Sequence, residues 1–262
     1  MHPVITSSSN PKIKHLLSLD KPRERKRSGL FAIEGLKELK LAKDNGFVIE
    51  TVFHSTHLVD EKTLLHHGFQ ASQLIPVGQN VFGKIAYRET TGGVIGIARQ
   101  RAHGLDALRL APDPLLLVLE GVEKPGNLGA ILRTADAAGV NAVISCNPQT
   151  DFYNPNVVRS SVGCVFTNQL AAATSGETIA WLKQRHIKIY CAYLGGSVPY
   201  TKASYEGACA LVMGSEAFGL TQEWATNADA NIVIPMHGQI DSMNVSVAAA
   251  VLAFEAVRQR GG

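Results

Sequence analysis

The stretch from Ile232 to Arg258, IVIPMHGQIDSMNVSVAAAVLAFEAVR, constrains the fold more than any other part of the chain. It opens on an apolar run, Ile232–Pro235, and passes through a polar turn, His237–Asp241, into a helix signal with Asp241 or Ser242 as the expected N-cap. From Ser242 to Phe254 no residue is charged, and Val245, Val247, Ala248, Val251, Leu252 and Phe254 cover every side of the helix. A helix apolar all round is expected to be buried all round, in a core or against another subunit. It is too short and too polar to cross a membrane. Yet Ser242, Asn244 and Ser246 sit at its mouth, where buried polar groups need partners. Two readings stand for them: helix caps, or the wall of a ligand pocket.

With 262 residues the chain is long enough for two domains. Its four cysteines, Cys146, Cys164, Cys191 and Cys209, are far apart in apolar surroundings with no CxxC pair. That pattern signals neither a zinc site nor a redox motif and fits reduced, buried thiols in a cytoplasmic protein. No metal site is expected. The polar N-terminus shows no secretory signal, and no run is long enough for a membrane span.

The net charge of +3 conceals an asymmetry. Residues 1–102 carry 15 Lys and Arg against 9 Asp and Glu, net +6, whereas residues 103–262 carry 10 against 13, net −3. Lys12, Lys14, Lys21, Arg23, Arg25, Lys26 and Arg27 fall within 16 residues. Such a run is either a solvated face or a surface that neutralises phosphates.

In chain order, Asn10-Pro11 opens a helical pattern through Ile13, Leu16 and Leu17 that ends at Asp20-Lys21-Pro22. After the basic run come a strand at 31–33, a helix from 36 to Gly46, a strand at 48–53, a helix at 60–67, a strand at 74–77, a helix at 79–86 and a strand at 94–98. This alternation predicts a small α/β module over residues 1–102. Residues 103–114, ending in two prolines, read as a linker. Residues 115–262 then predict a second α/β domain with a parallel sheet. Its first strand, 115–119, is continuously apolar, as strands buried on both faces are. A helix through Ala130 to Gly139, a strand at 142–145, a turn and short helix at 154–163, a helix at 176–185 and strands at 187–193, 208–213 and 231–235 follow.

Three loops fall at the C-terminal ends of strands, where open α/β sheets bind ligands. The first, EGVEKPGNLGAILRTADAAG, carries Asn127 and Arg133; the second, LVMGSEAFGL, carries Gly214, Ser215, Glu216 and Gly219; the third is the stretch described first. Singly, each admits a plain structural reading: a turn glycine, a helix cap, an interface arginine.

Together, Asn127-x-Gly129-x3-Arg133-Thr134-Ala135, Gly214-Ser215-Glu216-x2-Gly219 and Ile234-Pro235-Met236-x5-Ser242-Met243-Asn244-Val245-Ser246 resemble the SpoU (TrmH-like) RNA ribose 2'-O-methyltransferases of the SPOUT superfamily. Asn10-Pro11-Lys12-Ile13-Lys14 and Phe31-Ala32-Ile33-Glu34-Gly35 resemble the N-terminal substrate-binding domain of the same enzymes. The resemblance implies a C-terminal SPOUT domain, a parallel sheet whose last segment threads a deep trefoil knot, and a smaller N-terminal α/β RNA-binding domain. It implies a homodimer through the final helix. It also implies S-adenosylmethionine as cofactor, held by Leu194, Gly195, Gly214, Ser215, Ile234, Met236 and Met243. Catalysis would fall to Arg133 with Asn127, Glu216, Ser242 and Asn244, and RNA binding to Lys12, Lys14, Arg23, Arg25 and Arg27.

The acceptor of such a reaction, a ribose hydroxyl, is a weak nucleophile, and the donor, a sulfonium, is already a good electrophile. The protein has chiefly to position the two and help the proton leave. Arginine holds its proton under almost all conditions, so two roles stand for Arg133: base, or a fork that pins an RNA phosphate. The chain departs from the family at Lys124, where an aspartate is usual, at Ala217 for glycine and at Met243 for leucine. Ribosomal RNA is the expected substrate, because a separate basic domain suits a structured ribosomal site. The alternatives are transfer RNA, or a ribosome-associated binding protein without catalysis. A dinucleotide-dependent oxidoreductase is disfavoured, since no G-x-G-x-x-G follows the first strand of either half.

Overall fold

The computed structural model describes residues 2–87, 92–195 and 198–261. The chain divides into two compact units. One runs to Arg101 and adds Phe152–Thr167; the other comprises Ala102–Asp151 and the residues from Asn168 on.

The first unit is built on a four-stranded sheet of β1 (Leu30–Glu34), β2 (Ile49–Ser55), β3 (Leu74–Val77) and β4 (Val94–Arg99) in the order β1-β4-β2-β3. β4 runs antiparallel to β1 and β2, and β3 parallel to β2. The helices are α1 (Pro11–Ser18), α2 (Pro22–Ser28), α3 (Leu36–Asp44), α4 (Glu61–His66) and α5 (Gln79–Ile85). α1 starts where Asn10 accepts the Lys12 amide and Pro11 fills the first turn. Its Ile13 and Leu16 join Leu19, Phe53, Ile75, Val81, Phe82 and Ile97 in one core. Gly96 lets α3 lie close on the sheet, because a Cβ there would come within 2.2 Å of Leu39.

The basic run is a helix, α2, closed by Gly29 in the left-handed conformation (φ 68°). This corrects the reading of Arg25 as an RNA ligand. Arg25 is 1% exposed, and its Nη1 donates to the carbonyls of Leu19 and Asp20, each at 2.9 Å. A seven-residue helix must turn one side inward, and here that side carries a guanidinium that closes the end of α1. Lys12, Lys14, Arg23 and Arg27 remain exposed.

Residues 152–167, expected with the second domain, belong to the first unit. Tyr153 stacks on Phe31 with ring centroids 4.2 Å apart, and Phe166 meets Phe47 edge-on at 5.1 Å. The short helix within this segment, α7 (Pro155–Ser160), is capped by Asn154. Four aromatic rings thus close a second core, half of it supplied from far along the chain.

The second unit holds β5 (Leu115–Glu120), α6 (Pro125–Ala137), β6 (Ala142–Cys146), β7 (Leu170–Ala173), α8 (Ser175–Gln184), β8 (Lys188–Ala192), β9 (Val198–Pro199), β10 (Cys209–Met213), α9 (Gln222–Asn227), β11 (Ala230–Val233) and α10 (Val245–Gln259). The seven strands lie in the order β7-β6-β5-β10-β8-β11-β9, and every pair is parallel. All six residues of β5 are buried, as its continuous apolar run requires. Leu116, Val118, Ile144, Leu182, Ile189, Val212 and Trp224 form the core on one face. Alternate residues such as Leu117 and Leu119 face the other way, where α10 packs on β5, β10 and α6.

Two further expectations need correction. Residues 103–114 are no free linker: the His103 carbonyl accepts from the Ala172 amide at 2.8 Å, and Leu105, Leu108 and Leu110 pack on the core. β7 and β9 escape the sequence reading because Leu-Ala-Ala-Ala and Val-Pro carry no strand pattern of their own; pairing with β6 and β11 makes them strands. α10, expected to be buried in a core or against another subunit, is buried within the chain along one side. Val245, Ala249, Leu252, Ala253 and Ala256 are buried, while Val247 and Phe254 are 50% and 49% exposed.

Candidate active site

β5 and β10 are neighbours, yet the chain leaves β5 toward β6 on one side and leaves β10 toward β11 on the other. The strand order reverses at the C-terminal ends of β5 and β10, the place where open parallel sheets hold ligands. The loops that enter it are the glycine-rich ones.

After β5 the chain turns at Gly121 (φ 62°) and enters α6 through Pro125, which places Asn127 in the first helical turn. After β10 it folds back sharply. A Cβ on Gly214 would come within 2.0 Å of the Gly219 carbonyl carbon, so no other residue fits there. The turn is closed by the Gly219 amide on the Ser215 carbonyl at 2.9 Å and the Phe218 amide on Ser215 Oγ at 3.1 Å. Glu216 is thereby held outward on a short hairpin-like loop.

Asn127 Nδ2 donates to Glu216 Oε1, and Asn127 Oδ1 accepts from Asn244 Nδ2 at 3.2 Å. Asn244 Oδ1 in turn accepts from the Ser246 amide at 2.9 Å and from Ser246 Oγ at 2.6 Å. Lys124 Nζ lies 3.8 Å from Glu216 Oε2. One chain of polar contacts thus joins three segments that are distant in sequence. Asn244, not Asp241 or Ser242, caps α10. Its amide has two ends, so capping and joining the cluster are compatible: the oxygen caps and the nitrogen reaches Asn127.

Arg133 and Ser242 stand apart from this cluster. Arg133, about 9 Å further along α6 than Asn127, is exposed and makes no hydrogen bond or ion pair with a described residue. Ser242 Oγ donates to Asp241 Oδ1 at 3.3 Å.

Beneath the loops lies a group that sequence reasoning passed over. Glu120 ends β5 and is 5% exposed. Its carboxylate accepts from Ser175 Oγ at 2.6 Å, Thr221 Oγ1 at 3.0 Å and the Thr221 amide at 2.8 Å. Ser175 Oγ also accepts from Trp224 Nε1 at 3.0 Å and Asn147 Nδ2 at 2.9 Å. A buried carboxylate satisfied by three donors ties the Gly214–Thr221 loop to the sheet. The signal was visible: an acid closing the run Leu-Leu-Leu-Val-Leu. Burial pushes the thiols of Cys146 and Cys191 up to about 12, above the range of a reactive thiolate. Among the described residues no cluster could hold a metal ion.

Residues 114–254 match the SpoU rRNA Methylase family. The chain belongs to that family. Residues 10–96 match the MRM3-like substrate binding domain. The chain is 28% identical over 251 residues to the Bacillus subtilis 23S rRNA (guanosine(2553)-2'-O)-methyltransferase RlmP, covering 95% of this chain and 97% of that one. It is 37% identical over 193 residues to the 23S rRNA (guanosine-2'-O-)-methyltransferase RlmB of Ralstonia nicotianae, covering 72% and 78% of the two chains. Its fold superposes with a TM-score of 0.90 on the AdoMet-bound rRNA methyltransferase from Sinorhizobium meliloti, at 31% identity and over 98% and 97% of the two chains.

The cofactor of SpoU methyltransferases is S-adenosylmethionine, and the residues present suit it. Leu194-Gly195, Gly214-Ser215 and Ile234–Met236 follow the ends of β8, β10 and β11, three adjacent strands. Residues 236–243 make no backbone hydrogen bond to a described residue. Ile234, Met236 and Met243 are half-buried. Free backbone donors and acceptors beside apolar side chains are what an adenine ring and an amino-acid tail need from a pocket.

Proposed function

We propose that this chain transfers the methyl group of S-adenosylmethionine to a ribose 2'-hydroxyl in ribosomal RNA. The observation that carries the reading is the Asn127–Glu216–Asn244 cluster at the sheet's switch point, with the unpaired guanidinium of Arg133 further along the same helix. The ribosomal RNA assignment draws on the family match, on the 23S rRNA relatives and on the presence of the substrate-binding domain.

The cofactor supplies an electrophilic methyl carbon. The acceptor, a ribose 2'-hydroxyl, has to be placed against that carbon and relieved of its proton. The chain's own residues orient the reactants. Leu194, Gly195, Gly214, Ser215, Ile234, Met236 and Met243 would hold the cofactor. The base role would need a dry guanidinium; Arg133 is exposed, which favours the phosphate fork. Asn127, held between Glu216 and Asn244, fixes the amide that faces the ribose, and Ser242 lies at the mouth of the same turn. Lys124 adds a positive charge suited to a second phosphate.

Lys12, Lys14, Arg23 and Arg27 grip RNA from the first unit. The exposed Val247 and Phe254 are the seam of a homodimer through α10, and the last segment threads the knot of this fold. None of the described helices is long and apolar enough to cross a membrane, and we place the enzyme in the cytoplasm.

The test is methyl incorporation from labelled S-adenosylmethionine into RNA from cells lacking the gene, with ribosomal and transfer RNA separated. Label in one ribosomal RNA is the expected result. Label in transfer RNA would keep the chemistry and overturn the substrate; no label in either, or in assembling subunits, would leave a binding protein.

A further inference from the structure

We infer that the first unit carries a stacking pocket for one unpaired RNA base, with the ring of Tyr87 as its platform. The inference rests on the RNA reading above and extends it to a site in the other unit.

Tyr87 is 73% exposed, yet it is held firmly. Its amide donates to Glu34 Oε1 at 2.7 Å. The guanidinium of Arg159 lies over its ring, 3.6 Å from the centroid. Arg159 is itself fixed: Nη1 donates to Asn156 Oδ1 at 2.7 Å, and Nη2 lies 3.7 Å from Glu34 Oε2. One carboxylate therefore anchors both the backbone of the tyrosine and the cation stacked on it. The ring covers Arg159, and the surface it leaves exposed is what a base would cover. Stacking is sequence-tolerant because every base has a π-face, and a cation on the far side of the ring adds to it.

A cavity of about 200 Å³ adjoins the ring, lined by Leu16, Leu17, Asp20, Lys84, Ile95 and Pro155 among others. That is the space of about six or seven waters and below the roughly 300 Å³ where drug-sized pockets begin. It suits a single ring system. Its lining also fits a base: aliphatic walls, a lysine for the phosphate, and an aspartate that can only accept when ionised and so would meet the N–H edge of a base. Leu16 and Leu17 lie on α1, one turn from the exposed Lys12 and Lys14. A strand whose phosphates rest on that helix would bring a base to the cavity. Base-paired nucleotides cannot enter, so the pocket would select loops, bulges or ends.

The experiment uses the full-length protein and a single-stranded uridine 12-mer carrying one 2-aminopurine. Its fluorescence reports stacking, and anisotropy of an end label reports affinity. Wild type is expected to change the 2-aminopurine emission on binding. Tyr87→Ala should lose that change and bind about tenfold more weakly, while Tyr87→Phe stays within twofold of wild type. The slope of affinity against salt should be the same in all three, because no phosphate contact is removed. Melting temperature is measured alongside, since Tyr87→Ala also uncovers Arg159. Wild-type affinity and emission change in a folded Tyr87→Ala would overturn the pocket. So would a loss of affinity with a flattened salt slope. Methyl transfer by the wild type, measured in parallel, separates this failure from failure of the enzymatic reading: a wild type that neither binds nor methylates RNA sinks both, and one that methylates while Tyr87→Ala binds normally sinks the pocket alone.

Discussion

Two arginines show how far a side chain's role depends on its surroundings. Arg133 sits exposed on α6 with no described partner, while Arg25 lies buried against two carbonyls. Arg133→Ala should abolish methyl transfer and leave S-adenosylmethionine affinity within about twofold, because the side chain meets the acceptor and not the cofactor; normal turnover would overturn the mechanism. Arg133→Lys separates the two roles. A fork needs paired donors that lysine lacks, so Lys should rescue little, whereas a base could be replaced. Arg25→Ala should instead cost stability, about 2–3 kcal/mol in urea unfolding, since it leaves two inward carbonyls without their donor. The salt slope of RNA binding should not move with it. Replacing Arg23 and Arg27 together should lower that slope by about one to two while leaving stability nearly unchanged. Charge count placed all three arginines of α2 in one class. Helical periodicity separates them only once the side that packs on α1 is known.

At the scale of elements, α10 carries the sharpest expectation. Its inner face packs on α6 and the sheet, and its outer face leaves Val247 and Phe254 half-exposed on one helical stripe. Val247 and Phe254 are seven residues apart, two turns on one side of the helix. Val247→Glu combined with Phe254→Glu should convert a dimer to a monomer in sedimentation at micromolar concentration and leave the fold intact. An unchanged mass would remove α10 from any interface. The sequence pattern showed an apolar helix but could not say which half faces its own core, because alanine and valine ring it evenly. The same limit applies to β7 and β9, whose residues carry no signal without neighbouring strands. By contrast β5, α6 and β10 were legible, because a continuous apolar run, a proline start and a glycine turn each have one common structural use.

On the scale of the whole molecule, the first unit is discontinuous in sequence. Tyr153 and Phe166 complete the aromatic core around Phe31 and Phe47, and Arg101 stacks on Phe47 with its amide bonded to Tyr153 Oη at 3.0 Å. A fragment ending at residue 101 should therefore fail to melt cooperatively, with two aromatic rings missing from a small core. Adding a peptide of residues 152–167 should raise its helix and strand signal in circular dichroism; a cooperative melt without the peptide would contradict the assignment. Sequence alone determined the two α/β folds, the glycine turns at strand ends and the residue types at the site, since backbone geometry and hydrophobic period act locally. It also determined the family, because three motifs in a fixed order carry more information than any one. Only the tertiary structure decided that Asn127, Glu216 and Asn244 meet, that Glu120 ties the loops from below, that Arg25 turns inward and that residues 152–167 complete the first unit. Those outcomes depend on which distant segments share a sheet end or a core, and strand order is set by packing between segments, which no local pattern encodes.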